Sequence, residues 1–185
     1  MVAEVSLPPA NAAYHGGTHV FLDGRAALTC SSHGGFTSSV NPPQGPGTTA
    51  IAEYFATFTG ELSLEPPLVP SAAVFPIAGR VHMAERITFG ERRGSVQVLE
   101  TEIVALDLQG AGLPQGVLVR ESPALGSFGR TTITTLERDR SRIESVYDVW
   151  LEISLDGGRS WNRAEAPVRM TLAPVAPRRM ISPGG

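Results

Sequence analysis

Three histidines and the single cysteine of the chain fall between positions 15 and 33, and these residue types are common zinc ligands. They are His15, His19, Cys30 and His33. A hairpin turn at Asp23-Gly24 would bring His19 towards Cys30, so a tetrahedral site is one interpretation. The spacing matches no standard zinc finger, however. We therefore interpret the histidines as surface or loop residues, keep a metal site as the alternative, and expect no cofactor.

Acidic residues at alternate positions form two further candidate sites. Glu100 and Glu102 share one face of a predicted strand, because side chains two residues apart on a strand point the same way. A similar stripe further along consists of Glu144, Asp148 and Glu152. Two carboxylates about 5 to 9 Å apart can hydrolyse glycosides. Such stripes are usually solvated faces paired with arginine, so we predict no catalytic residue here.

Trp150 interrupts the second acidic stripe, between Asp148 and Glu152. An aromatic ring among carboxylates either packs under another layer or marks a binding surface. We therefore treat Trp150, Glu152 and Asp148 as a candidate ligand-binding face, with carbohydrate as the candidate ligand.

The segment Ser154-x-Asp156-x-Gly158-x-x-Trp161 combines a turn carboxylate, glycine and an aromatic ring. It resembles the Asp-box, a hairpin repeated on the blades of sialidases and related β-propellers. In sialidases the boxes lie away from the catalytic site, so the resemblance implies a stable turn and an exported setting, without sialidase activity. A propeller would need several boxes at a repeat of about 40 to 50 residues, and this chain has one. We interpret the four residues as structural, with calcium or glycan contact as the alternative.

The region 80–172 also resembles uncharacterised secreted β-rich proteins of bacteria, through Arg120-Glu121-Ser122-Pro123 and the Leu-Asp-Gly-Gly-x-x-Trp turn. This resemblance supplies no activity. The N-terminus has neither the basic nor the apolar region of a signal peptide. The sequence leaves the compartment open and favours an extracellular or cell-surface location.

Strand patterns position all of these residues. From Ile143 to Leu155 the odd positions are apolar except Ser145, which predicts the first arm of a hairpin that returns at 166–172. In the segment 78–89, Val81 and Met83 alternate, and we interpret a shift of register near Glu85. Turn signals recur every 8 to 15 residues or so, and no long helical repeat is visible.

These patterns predict an all-β chain with an antiparallel β-sandwich, and a closed β-barrel is the alternative. Residues 1–48 are predicted to form an extended N-terminal arm with a short hairpin and a Pro/Gly-rich linker. Residues 49–173 form the sandwich domain, and residues 174–185 form an extended tail.

Composition narrows the possible functions. The chain of 185 residues has a net charge of −3 and a pI near 5.8, which argues against binding nucleic acid through phosphates. Its 15 basic residues are all arginine, so lysine Schiff-base and P-loop chemistry are excluded. No apolar run reaches the length of a membrane span.

The leading functional hypothesis is a non-enzymatic structural or assembly subunit. Terminal arms would cover the sheet edges of neighbouring copies and produce a homo-oligomer. The first alternative is a carbohydrate- or ligand-binding module. The second alternative is a small hydrolase or isomerase that uses Glu100, Glu102 or the histidines.

Overall fold

The computed structural model describes residues 5–9, 11–108, 110, 112–136 and 140–173, and within these ranges it contains strands and no helix. The all-β prediction is therefore confirmed. The strands are β1 (Ala13–His15), β2 (Thr18–Phe21), β3 (Ala26–Gly34), β4 (Thr49–Leu64), β5 (Ala73–Arg93), β6 (Val96–Leu108), β7 (Leu118–Glu121), β8 (Ser127–Thr135), β9 (Ser141–Val149), β10 (Leu151–Ser154), β11 (Asn162–Arg163) and β12 (Val168–Leu172). The predicted tail at 174–185 lies outside the described residues.

Eight of the strands close into an antiparallel barrel, and the predicted sandwich is wrong. The order around the ring is β1, β3, β4, β5, β6, β8, β9 and β12, and β12 pairs with β1 again. Inward and outward residues alternate along a strand in a sandwich and in a barrel alike, so periodicity cannot separate the two. Closure depends on β1, which pairs Tyr14 with His33 of β3 and with Leu172 of β12.

The extended N-terminal arm is also wrong, because β1 and β3 belong to the ring itself. The predicted boundary at 48/49 falls in the connection between two paired strands, β3 and β4. The short hairpin within this segment is confirmed. It pairs Thr18 with Thr29 and turns through Asp23 and Gly24, both with positive φ.

Four strands lie outside the ring, and they extend the sheet by pairing with a ring strand or with each other. β2 pairs with β3 in line with β1, while β7 pairs with β6 and with β10. The predicted hairpin at 142–172 is confirmed in two parts. Near the barrel β9 pairs with β12, and beyond Trp150 the chain continues as β10, which pairs with β11 and β7.

Most of the inward-facing side chains are apolar, and a polar group lies among them. Completely buried apolar side chains include Phe21, Leu28, Leu62, Ile87, Leu99 and Ile153. β5 keeps strict alternation through Val81, Met83, Glu85 and Ile87, all of which are buried. The register irregularity lies opposite, in β6, where Ala84 pairs with Ala105 but Glu85 pairs with Ile103. The predicted shift of register near Glu85 is therefore confirmed, with the extra residue on the β6 side, and Glu85 points into the barrel.

Within the described ranges, no helix has the length and apolar character that crossing a membrane requires.

Candidate functional site: a carboxyl–phenol cluster inside the barrel

Glu85 is the centre of a polar cluster inside the barrel. Its residue is only 4% exposed, and both carboxyl oxygens accept hydrogen bonds from phenols. The Tyr54 hydroxyl donates to Oε2 at 3.3 Å, and the Tyr147 hydroxyl donates to Oε1. The three residues come from β5, β4 and β9. Tyr54 reaches Glu85 through the pairing of β4 with β5, whereas Tyr147 reaches it because the sheet curls into a ring that brings β9 opposite β5.

A second chain of hydroxyls lies beside this cluster. Tyr14 Oη donates to Ser145 Oγ at 3.0 Å, and Ser145 Oγ lies 2.8 Å from Thr131 Oγ1. The Tyr14 and Tyr147 rings meet edge to face, with their centroids 5.5 Å apart. Hydroxyl groups from β1, β8 and β9 therefore extend the polar cluster across the barrel.

Gly129 of β8 makes room for Tyr147. A Cβ at this position would lie 2.5 Å from Tyr147 Cδ1, 2.5 Å from the Val146 carbonyl oxygen and 2.7 Å from Thr101 Oγ1. Only glycine lets the Tyr147 ring lie across the neighbouring strand, so Gly129 helps to position the phenol.

A cavity of about 20 Å³ adjoins the cluster, which is the space of about one water molecule. Its polar wall consists of Tyr14, Tyr54, Tyr147 and His33. Its apolar wall consists of Met83, Ile103, Leu106 and Met170. Glu85 lies behind this wall, in contact with it through the hydroxyls of Tyr54 and Tyr147.

Phe36, in the connection after β3, packs on the polar wall. Its ring centroid lies 5.3 Å from that of Tyr54, 5.6 Å from that of His33 and 6.1 Å from that of Tyr14. Phe36 is only partly buried. It therefore separates the cavity wall from the protein surface.

Burial shifts the pKa values of these groups towards their neutral forms. Removal from water raises the pKa of Glu85 to about 7, although the hydrogen bonds from Tyr147 and Tyr54 oppose this. Burial and the nearby Glu85 carboxyl raise the pKa values of Tyr54 and Tyr147 well above their usual range. Burial lowers the pKa of His33 to about 4. At neutral pH the phenols and the imidazole are uncharged, and Glu85 is close to its titration midpoint.

Two polar atoms at this site lack a hydrogen-bond partner in the structure. They are His33 Nε2 and Thr101 Oγ1, both buried. Buried polar atoms are nearly always paired, so such exceptions call for an explanation.

The four residues predicted as possible metal ligands lie in different environments. The interpretation of the histidines as surface or loop residues is wrong for His19 and His33, which are buried on β2 and β3. His15 is exposed, with Nδ1 2.7 Å from the Ser31 carbonyl oxygen, whereas His19 stacks on Phe21. Burial raises the pKa of the Cys30 thiol to about 12, so the thiol stays protonated at neutral pH. Across the described part of the chain, no group of three or more potential metal ligands is found. Of the four residues, only His33 lies at the cavity.

The candidate carbohydrate face is not assembled as one surface. The Glu152 side chain is mostly buried and accepts hydrogen bonds from Arg120 and Ser122, at 2.8 Å and 3.0 Å. Asp148 forms a paired contact with Arg169 on an exposed part of β9 and β12. The Trp150 ring is partly buried, and carbohydrate binding at these residues stays a prediction.

The turn at 154–161 forms through its own polar groups. Ser154 Oγ donates to Asp156 Oδ1 at 2.8 Å, and Asp156 Oδ1 accepts the Ser160 amide at 2.9 Å. Gly157 and Gly158 have φ values of 74° and 90°, which favour glycine. Trp161 packs on the Arg120 guanidinium, 3.8 Å from the ring centroid. These contacts explain the four residues structurally, and the Asp-box resemblance itself stays a prediction.

The other predicted carboxylates pair with arginines. Glu100 lies 3.1 Å from Arg130, and Glu102 contacts Arg86. Glu144 pairs with Arg142 at 2.5 Å. These pairs lie on the outer wall and agree with the predicted solvated faces.

Sequence reasoning missed Glu85 and the three tyrosines. The available signal was a single carboxylate at an inward position of an otherwise apolar alternation, between Met83 and Ile87. A charged residue at a buried position of a strand needs a hydrogen-bonding or charged partner, so Glu85 by itself indicated a polar site inside the protein. The partners lie on other strands, Tyr54 on the paired strand β4 and Tyr147 on β9, and the sequence does not give the registers that bring them to Glu85.

Searches of protein-family models, of curated proteins and of solved structures found no match to the chain. The site is therefore interpreted from its own geometry.

Proposed function

We propose that the barrel is a small isomerase that moves a proton on a neutral organic molecule, with Tyr147 and Glu85 as its acid–base pair. The observation that supports the proposal is the hydrogen bond from a cavity-lining phenol to a buried carboxyl whose pKa is about 7. A general base works best when its pKa is close to the working pH. Perturbed carboxyls beside a cavity are also typical of functional sites, although structural networks perturb pKa values too.

The proposed step begins with Glu85 ionised and the Tyr147 phenol neutral. The Tyr147 oxygen accepts a proton from a carbon next to a carbonyl group while its own proton passes to Glu85 Oε1. The electron pair of the broken C–H bond forms a C=C bond, and the carbonyl π pair moves to oxygen. In a β,γ-unsaturated ketone the electron pair is shared with the γ carbon. Return of the proton from Glu85 through Tyr147 to the γ carbon moves the C=C bond next to the carbonyl group, which yields the isomer and restores the ionised Glu85 and the neutral Tyr147.

Tyr147 is the group that touches the substrate, and Glu85 acts through it. Each carboxyl oxygen of Glu85 uses one lone pair for a phenol, and one more remains on each oxygen. Tyr54 holds the second oxygen and fixes the orientation of the carboxyl group.

The test is exchange of the α-protons of cyclohexanone in deuterium oxide, measured by proton NMR with the full chain. We expect the catalysed rate to rise with pH through about 7, following ionisation of Glu85. Tyr147→Phe and Glu85→Gln should each lower the rate by about a hundredfold or more. Glu85→Asp should restore part of the rate with a changed pH midpoint.

Glu100→Gln is the matched control, because Glu100 is an exposed carboxylate on the outer wall. It should leave the rate unchanged. Equal rates for the wild type, Tyr147→Phe and Glu85→Gln would contradict the proposal, as would a pH profile that Glu85→Gln leaves unaltered.

Self-association is the second candidate function, and exposed apolar side chains on the barrel favour it. Phe128 is 62% exposed, Val74 is 61% exposed and Ile51 is 54% exposed. The assembly hypothesis relied on terminal arms, and the N-terminal segment is instead part of the ring. Light scattering across a concentration series would test it: a mass that stays at one chain contradicts self-association, and Phe128→Ser should lower any higher mass.

A further inference from the structure

We infer that the barrel interior binds a small, uncharged, mainly apolar molecule that carries one carbonyl oxygen, and that His33 Nε2 binds this oxygen. The inference deepens the proposed isomerase function and rests on it for the reaction, while the binding it describes can be tested separately.

The position of His33 is the first support. It lies on β3, where it pairs with Tyr14 of β1 and Phe58 of β4, and its residue is 3% exposed. Its Nε2 atom has no hydrogen-bond partner although the side chain lines the cavity. A buried unpaired nitrogen weakens folding, so a ligand oxygen at this place would remove a cost that the protein otherwise carries.

The charge state of His33 determines which chemical group of a ligand it can bind. Burial lowers the pKa of His33 to about 4, so the ring is neutral at physiological pH. The tautomer with a proton on Nε2 donates one hydrogen bond, which suits a carbonyl oxygen. A neutral imidazole can polarise a carbonyl group and stabilise the charge that develops on its oxygen.

The remaining wall defines the rest of the molecule. Met83, Ile103, Leu106 and Met170 are apolar, and no arginine is among the residues that line this cavity. A carboxylate or phosphate would meet no cation there and would lie near the Glu85 carboxyl, which repels it when ionised. The wall therefore fits a short or cyclic ketone rather than an acid or a phosphate ester.

The size of the cavity requires side-chain movement when such a molecule binds. The cavity of about 20 Å³ is smaller than any ketone. Met83 and Met170 have unbranched, flexible side chains that adapt to a ligand. Phe36 is the partly exposed ring over the polar wall, so displacement of Phe36 would open the way to His33.

Binding is tested with three probes of one ring size: cyclohexanone, cyclohexene and cyclohexanecarboxylate. Titrations of the full wild-type chain are followed by nitrogen-15 NMR of the histidine rings. We expect cyclohexanone to shift the His33 Nε2 resonance and leave that of His15, which is exposed, in place. Cyclohexene and cyclohexanecarboxylate should bind at least tenfold more weakly than cyclohexanone.

Variants of His33 then test whether its side chain is responsible for the binding of cyclohexanone. His33→Phe should weaken cyclohexanone binding at least tenfold, His33→Gln should retain part of it, and His15→Gln should leave it unchanged. Near-ultraviolet circular dichroism checks that each variant is folded, and the wild-type NMR titration decides the matter where a variant does not fold.

The possible results separate the two proposals. Binding of cyclohexanone with a His33 shift but without proton exchange supports this inference and overturns the isomerase. Proton exchange without a His33 shift, or equal binding of cyclohexene and cyclohexanone, overturns this inference and leaves the isomerase. Failure of all three probes to bind overturns this inference.

Discussion

Glu85 shows how a single carboxyl group at an inward position changes the interpretation of an otherwise apolar strand. A carboxyl group inside an apolar barrel opposes folding when it is ionised, and the hydrogen bonds from Tyr54 and Tyr147 offset only part of that cost. Apolar residues at position 85 would avoid the cost altogether. The presence of the carboxyl is therefore better explained by chemistry than by stability.

The raised pKa of Glu85 predicts how stability depends on pH. The folded state holds the proton until about pH 7, whereas the unfolded chain loses it near 4.5. The contribution of Glu85 to the unfolding free energy should therefore fall by about 3 kcal/mol as pH rises between these values. The lowered pKa values of His19 and His33 act in the opposite direction over much of this range, so the effect of Glu85 is read from the difference between the wild type and Glu85→Gln. Glu85→Gln lacks this change, so it should equal the wild type near pH 4 and exceed its stability at pH 8. Urea unfolding at a series of pH values measures both chains.

Glu100→Gln is the control for this measurement. Glu100 is an exposed carboxylate paired with Arg130 on the outer wall. Its removal should leave the pH dependence in place. If Glu85→Gln shows the same slope as the wild type, the carboxyl is not the source of that slope.

At the scale of single elements, β8 and β9 show how a glycine positions the phenol of Tyr147. Gly129 pairs with Tyr147, and the absence of a side chain at position 129 lets the ring pack across β8 towards Thr101. The turn at 154–161 is also shaped by local contacts, because its serine and aspartate hydrogen-bond within the turn and its glycines allow the positive φ angles. Sequence sufficed for the turn because the side-chain hydrogen bonds of Ser154 and Asp156 all go to neighbours in the chain.

Gly129→Ala should destabilise the barrel and disturb the cluster. The added methyl group would meet the Tyr147 ring, the Val146 carbonyl oxygen and Thr101 Oγ1 within 2.7 Å. Overpacking of this kind costs about 1 to 3 kcal/mol. Gly45→Ala is the control, because a Cβ at Gly45 meets nothing within 4 Å. Chemical denaturation measures both, and equal midpoints for the two variants would contradict the packing argument.

Asp156→Ala should lower the melting temperature through the turn alone. Asp156 accepts the Arg159 and Ser160 amides and the Ser160 hydroxyl, and these bonds lower its pKa to about 2. Its stabilising effect is present above about pH 4 and disappears as pH falls through about 2. Thermal unfolding at pH 7 and pH 2 should show a difference between the two chains only at pH 7. Ser38→Ala, which removes a side-chain bond to the Glu53 carbonyl oxygen elsewhere, is the comparison without this pH dependence.

At the scale of the whole molecule, the two ends of the described chain meet to complete the barrel. Tyr14 of β1 pairs with Leu172 of β12, so the ring closes only when the first and last strands lie side by side. A barrel without β1 would expose the edges of β3 and β12, and free edges pair with other chains. The segment that resembled an arm is therefore the closing strand.

Removal of residues 1–17 should abolish the cooperative folding of the chain. The open edges of β3 and β12 predict aggregation, which size-exclusion chromatography and circular dichroism would detect. A synthetic peptide of residues 5–17, added to the truncated chain, should restore the spectrum by taking the place of β1. A truncated chain that melts like the wild type would show that closure contributes little.

The sequence by itself determined the all-β class, the hairpin at 142–172 and the turn at Asp156, because each depends on alternation or on neighbouring residues. It could not distinguish a barrel from a sandwich, since both place alternate residues inside. Only the tertiary structure decided that Glu85 meets Tyr54 and Tyr147, whose positions are 31 and 62 residues away. The physical reason is that Tyr54 meets Glu85 through the register of β4 on β5, and Tyr147 meets it because the sheet curls into a ring, and no local pattern in the sequence records either.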